Sequence, residues 1–339
     1  MKAHLKKILE SLARPLYSGI GAILCFHRIV DSSQRSVLSE NRALELTPRE
    51  LDALIGHIRK GRYGIIPLDE VPGALSKPPR GKFIAFTFDD GYLDTFTHAL
   101  PIFRAHEVPF TVNITTSFAS HTGLVWWHLL ECLLLRDDPI RYCDGERTHE
   151  LPAASLTQKN SAFEQLARRI RNGDQTQRDA FIQNLFAGAD IDPVAVSATY
   201  MMDWETVRRL AADPLVTIGA HTVRHLTLNR LDPALLRSEL LESKTTLETE
   251  LRSRINHLAY PFGGPSAVGP REFETASECG FVTAVTTRGA NLFSRHASHP
   301  CCLPRISMSG NDSAINRFCA FESGLVAARR HPLRPLITD

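Results

Sequence analysis

Phe83-Ile84-Ala85-Phe86-Thr87-Phe88-Asp89-Asp90-Gly91 is the stretch from which the rest of the chain can be read. Its apolar run shows no alternation with polar residues, the pattern of a strand buried on both faces, as in a parallel sheet. Two adjacent carboxylates and a glycine then stand where that strand should end. Asp-Asp-Gly alone is ordinary turn chemistry. Two acids at the end of a buried strand are costly, however, unless a metal ion or a mobile proton balances them.

Outward from this stretch, strands alternate with helices of about ten residues. Ala22-Ile23-Leu24-Cys25-Phe26 reads as a buried strand ending in His27-Arg28. Thr47-Pro48-Arg49-Glu50 is a capping box, followed by Leu51, Leu54, Ile55 and Ile58 at helical spacing. A short strand is expected at 63–67, and Asp94 as the cap of a helix running to 105. Further strands are expected at 109–115, 215–220, 257–262, 281–286 and 303–307, with helices at 203–212 and 232–254. Such alternation predicts parallel units with right-handed crossovers, closed into a barrel or laid out as a doubly wound sheet. Residues 118–199 break the pattern: they read as helical, carry no strand signal, and form an insertion expected to lie across the barrel.

A second polar constellation follows the strand at 215–220. His221-Thr222-Val223-Arg224-His225 spaces two imidazoles at i and i+4, which in a helical turn face one side and can share a cation. With 14 histidines in the chain the spacing is weak alone. Joined to a carboxylate at another strand end, it makes a site of two histidines and one aspartate with a position left for water, the catalytic arrangement.

The Thr-Phe-Asp-Asp-Gly stretch, the His-Thr-x-x-His stretch and Ala259-Tyr260-Pro261-Phe262-Gly263 resemble the first three motifs of the polysaccharide deacetylases, the NodB-homology or carbohydrate esterase family 4 domain. The resemblance implies an α/β fold, a distorted (β/α)7 barrel. It divides the chain into an N-terminal amphipathic helix at 1–19, the barrel at 20–310 with the helical insertion 118–199, and a C-terminal segment at 311–339. It also implies one divalent metal ion held by Asp90, His221 and His225, with zinc expected first and nickel or cobalt as alternatives that the donors also suit.

Successive strand residues point to opposite sides, so Asp89 cannot bind the same ion as Asp90 in the same way and is placed to accept the proton of the attacking water. The family gives the first Asp of the pair this role of general base; as a purely structural group Asp89 would be a helix cap or would steady a ligand. The family's oxyanion donor is the backbone N–H of the aromatic residue after the proline, here Phe262. Two departures from the family pattern matter. Ala259 stands where an arginine usually steers the base, and the late Leu-x-His carrying the general acid has no match. Arg305, at the end of the last strand, can supply the guanidinium, and His27, at the end of the first, can supply the acid, unless it is a core histidine. Trp126 and Trp127 are either sugar platforms or packing.

At 339 residues and 43% hydrophobic, the chain can bury one large barrel or two modest domains. A net charge of +2, with 22% charged residues and no long block of one sign, gives no case for nucleic acid. Seven cysteines without Cys-x-x-Cys spacing fit reduced thiols of a cytoplasmic chain better than a disulfide framework. Lys2, Lys6 and Lys7 among Leu5, Ile8, Leu9 and Leu12 read as an amphipathic helix, with at most weak peripheral contact to the inner face of a membrane. Glu10 and Arg14 interrupt the apolar run that an export signal needs. The expected function is therefore a metal-dependent hydrolase that removes N-acetyl groups from a sugar, an oligosaccharide or a glycan precursor. Alternatives are a hydrolase of a non-sugar amide or O-acetyl ester on the same barrel, and a glycan-binding or scaffold barrel without turnover.

Overall fold

A computed structural model of the chain describes residues 11–61, 63–136, 139–144, 147–173, 175–310, 313–332 and 336–338. Seven strands form its frame: β1 (Gly21–Phe26), β2 (Phe83–Phe88), β3 (Phe110–Ile114), β4 (Val216–Ala220), β5 (His257–Ala259), β6 (Thr283–Val285) and β7 (Arg305–Ser307). They pair in the order β6-β5-β4-β3-β2-β1-β7, always parallel. A single bridge from Val285 to Leu303 draws the two ends of the sheet together. The result is the expected (β/α)7 barrel, nearly closed. Its distortion has a local cause: Gly64–Ile65 pairs with the first two residues of β2, and β3 takes over that edge only at Thr87.

Burial on both faces of β2 resolves into two clusters. Phe83 and Ala85 face inward with Ile23, Ala259 and Val285, whereas Ile84, Phe86 and Phe88 pack outward with Leu54, Ile55 and Phe103 under the helices. The inward line continues through Thr87 to Asp89 by the two-residue period of a strand. Helix α1 (Pro48–Lys60) has the expected capping box and buries Leu51, Leu54, Ile55 and Ile58. Asp94 does not cap a helix. Its carboxylate accepts from Arg28 Nε and from the Ile29 N–H, both at 3.0 Å, and the chain passes through a π-turn, Thr95–Ala99, before the helix Leu100–His106.

The segment after β3 contains α2 (Trp126–Arg136), α3 (Leu156–Asn172), α4 (Gln175–Leu185) and α5 (Pro193–Tyr200). It is not wholly helical: Ile140–Asp144 and Arg147–Leu151 pair as an antiparallel hairpin. Between its apolar ends that hairpin is mostly polar, so it lacks the apolar alternation by which strands announce themselves. It is held instead by Tyr142 against Phe181 and by the Cys143 N–H on Asn184 Oδ1. Phe163, Leu166, Ile170, Phe181 and Leu185 share one core with Trp126, Trp127, Tyr92 and Phe118, so the segment is packed onto the barrel rather than free of it.

Residues 11–17 are helical, with Ala13 and Tyr17 packed on Ala327. Positions 1–10 of the expected N-terminal helix lie outside the described residues. Among the described residues no helix is long and apolar enough to cross a membrane.

Candidate active site

Strand register brings the first polar groups together. β1 and β2 pair from Gly21↔Phe83 to Phe26↔Phe88, so the residues that follow, His27 and Asp89, leave the sheet side by side. Asp89 is 2% exposed, and three side chains meet its carboxylate. Arg305 grips both oxygens, Nη1 to Oδ1 at 2.8 Å and Nη2 to Oδ2 at 2.6 Å, while Nη1 also donates to Thr87 Oγ1. Asn113 Nδ2 donates to Oδ1 at 2.8 Å, and the Cys25 thiol approaches Oδ2 at 3.5 Å. Burial would raise the Asp89 pKa; the paired guanidinium overcomes it and holds the carboxyl well below the usual range. Arg305 is wholly buried beneath Asp89 and does not itself open onto the cavity above.

Asp90 has φ 74° and Gly91 φ 88°, so the chain turns out of the strand in the left-handed region. That turn, and not the strand period, carries the Asp90 carboxylate to the same rim as Asp89. There Asp90 Oδ1 lies 3.2 Å from His221 Nε2 and 3.3 Å from His225 Nε2. His221 Nδ1 donates to the Ala259 carbonyl at 2.7 Å, which leaves the Nε2 lone pair facing inward. Asp90 Oδ1 is buried and, among the described residues, takes part in no hydrogen bond of acceptable geometry. Two imidazole nitrogens and the buried, unsatisfied oxygen they face make three ligand atoms gathered in one place, so Asp90, His221 and His225 could hold a metal ion.

The two imidazoles are not on a helical turn. Residues 221–227 form a loop in which Thr222 (φ 66°) and His225 (φ 54°) are left-handed. Glu239, on α6 (Pro233–Leu251), holds that loop: its carboxylate accepts from the N–H groups of Val223 and Arg224 and from Arg224 Nε. Sequence reading missed Glu239 and Asn113. Each had a signal, an acid on the leucine-rich inward stripe of a helix and an amide inside an apolar strand.

Phe262 is also left-handed, at φ 60°, and Gly263 follows at φ 59°. A side chain at 263 would put Cβ 2.7 Å from the Thr287 nitrogen, so only glycine fits. Among the described residues no acceptor takes the Phe262 N–H. The Phe262 ring meets His225 edge-on at 4.8 Å, and Trp127 packs near the same imidazole at 5.2 Å. Trp126 and Trp127 are both buried, yet both border the cavity, so packing and lining are one role. His27, Asp89, Asp90, His221, His225 and Phe262 all border one cavity of about 450 Å³ at the carboxyl ends of the strands. His27 Nδ1 is buried without a partner among the described residues. Burial lowers the His27 pKa against the pull of Asp90 and Asp89, so the ring is neutral at rest.

A parallel barrel with acids and imidazoles gathered at the carboxyl rim defines an enzyme-like class. The family model for polysaccharide deacetylases matches residues 76–283, well over half of the chain, and the chain belongs to that family. No curated protein matches it. Among solved structures it is similar to the Streptococcus pyogenes deacetylase PplD in complex with acetate, at 18% identity and TM-score 0.56, over 88% of this chain and 97% of that one. It is likewise similar to IcaB from Ammonifex degensii, at 16% identity and TM-score 0.54, over 90% of this chain and 97% of that one. A de-N-acetylase from Aggregatibacter actinomycetemcomitans aligns at 13% identity and TM-score 0.52, over 88% and 99% of the two chains. At such identities the likeness speaks for the fold.

Proposed function

We propose that the protein is a metal-dependent hydrolase that removes the acetyl group from an N-acetylated sugar. The observation that carries this reading is the buried Asp90 oxygen facing two imidazole nitrogens at 3.2 and 3.3 Å, one residue from a carboxylate gripped by Arg305. A divalent cation on Asp90, His221 and His225, with zinc, nickel or cobalt suited to those donors, would polarise the acetamido carbonyl and acidify a water beside it. Asp89 takes the proton of that water, and the pairing with Arg305 keeps it ionised and aimed. The Phe262 N–H donates to the oxygen on which negative charge develops. His27, neutral at rest and within 4.8 Å of the Asp89 carboxylate, receives the proton that Asp89 took from the water and delivers it to the departing amine, which leaves slowly as an anion.

Acetate release from a panel of N-acetylated sugars, with and without chelator, tests the reading. Turnover of at least one sugar that stops with chelator and returns with added metal is expected. Release only from O-acetyl esters or simple amides would move the substrate class, and no release from any would leave a binding barrel. His27→Ala should slow amides far more than activated esters, whose leaving group needs no proton; equal losses would make His27 a core histidine.

A further inference from the structure

Helix α3 spans the mouth of the cavity. At its start Asn160 Oδ1 accepts from the Ser39 N–H and hydroxyl, on the short helix Ser39–Arg42 that follows β1, and at its end the Arg171 carbonyl accepts from Thr227, in the loop after β4. Phe163, Arg168, Arg171 and Asn172 of this helix therefore border the same cavity as the acid pair and the imidazoles. Arg168 and Arg171 lie one turn apart, and each is held by little. Arg168 meets Glu164 at 2.8 Å in an exposed i,i+4 pair, and Arg171 reaches Glu40 only at 4.0 Å across the cavity mouth. Pairs of this kind contribute little, so an anion can displace them at small cost. The Arg171 guanidinium also sits 6.0 Å over the Trp126 ring, which keeps it extended along the wall. At the cavity floor Asp89 is paired with Arg305 and Asp90 faces His221 and His225, and among the described residues no ion pair joins either acid to the two guanidiniums. A neutral oligosaccharide offers the two guanidiniums only single, uncharged hydroxyl and carbonyl acceptors, whereas a phosphoryl or carboxylate group matches the fork bidentately and with opposite charge.

We infer that the substrate carries an acidic group, phosphoryl or carboxylate, next to the N-acetylated sugar, and that Arg168 and Arg171 receive it under α3. The inference rests on the deacetylase reading above and narrows its substrate. Acetate release by the metal-loaded protein is compared for N,N′-diacetylchitobiose, N-acetylglucosamine 1-phosphate, and an N-acetylglucosamine disaccharide bearing a uronate. At least one acidic substrate should exceed the neutral one in kcat/KM by about tenfold or more, roughly the effect of one charge-assisted hydrogen bond. Which acid gains tells phosphoryl from carboxylate. The advantage should fall with added salt and shrink to about one in an Arg168→Ala/Arg171→Ala double variant. Equal use of neutral and acidic sugars, or a double variant that slows all three by one factor, overturns the inference. Calorimetric binding of the same phosphorylated sugar and uronate disaccharide separates the two readings if no acetate appears. Binding to the wild type but not to the double variant would keep the subsite while deacetylation falls, and no binding to either would remove the subsite as well.

Discussion

Arg305 and Asp89 are wholly buried opposite charges, and each is tolerable only because of the other. The guanidinium overcomes the burial that would otherwise raise the carboxyl, and the carboxylate likewise keeps the guanidinium charged. Arg305→Met should therefore remove the strongest opposition to burial at Asp89, leaving His221, His27 and the Asn113 amide, and move the acidic limb of kcat/KM against pH upward. It should also cost about 3–5 kcal/mol of stability, the usual result of stranding one buried charge. A pH profile whose acidic limb does not move would detach Arg305 from the base. Asp89 and Asp90 should part by phenotype. Asp89→Asn should keep bound metal and lose on the order of 10²-fold in turnover, since an amide takes no proton. Asp90→Asn should lose the metal itself, because it removes one of three ligands; elemental analysis beside a turnover assay checks both.

The loop at 221–227 shows how an element can be set from outside itself. Nothing within it forms a helix or strand; its left-handed turns are held by the Glu239 carboxylate reaching up from α6. Glu239→Gln keeps the shape but replaces one acceptor oxygen with a donor facing N–H groups. Metal affinity should fall by about 10–100-fold, the usual effect of disturbing a group that orients a ligand. Titration with a competing chelator measures this; an unchanged affinity would mean that the loop is held without Glu239, by the Thr222 hydroxyl, which accepts from the His225 N–H, and by the Thr116 and Ser117 N–H groups on the Thr222 and Val223 carbonyls.

Across the whole molecule, the inserted segment and the barrel meet around His128. Its ring stacks on Tyr200 at 3.7 Å and packs edge-on against Tyr92, with the Glu131 carboxylate 3.8 Å away. Burial pushes the His128 pKa down to about 4, although Glu131 pulls it up. The unfolded chain binds this proton from about pH 6.5 downward and the folded one only near pH 4, so stability is full above 6.5 and is lost as pH falls through that window. Between pH 7 and pH 5 the wild type should lose about 2 kcal/mol more than His128→Phe, which keeps a ring against Tyr200 without the proton. Denaturant unfolding at the two pH values decides it; parallel losses would mean that His128 charges freely in the folded state.

The period of the strands, the capping box at Thr47 and the acid and imidazole motifs were legible in the chain because each depends on neighbours within a few residues. Local patterning told where strands begin and which groups stand at their ends. It could not tell that the His221 segment is a left-handed loop, that the polar stretch at 140–151 is a hairpin, or that Asp94 pairs with Arg28 instead of capping a helix. Those outcomes are settled by distant partners. Arg305 reaches Asp89 across 216 positions, Asn113 across 24, and Glu239 holds a loop 15 and 16 positions away. Barrel closure and strand register bring these groups together, and a buried charge or an unpaired N–H then selects the one geometry that satisfies it.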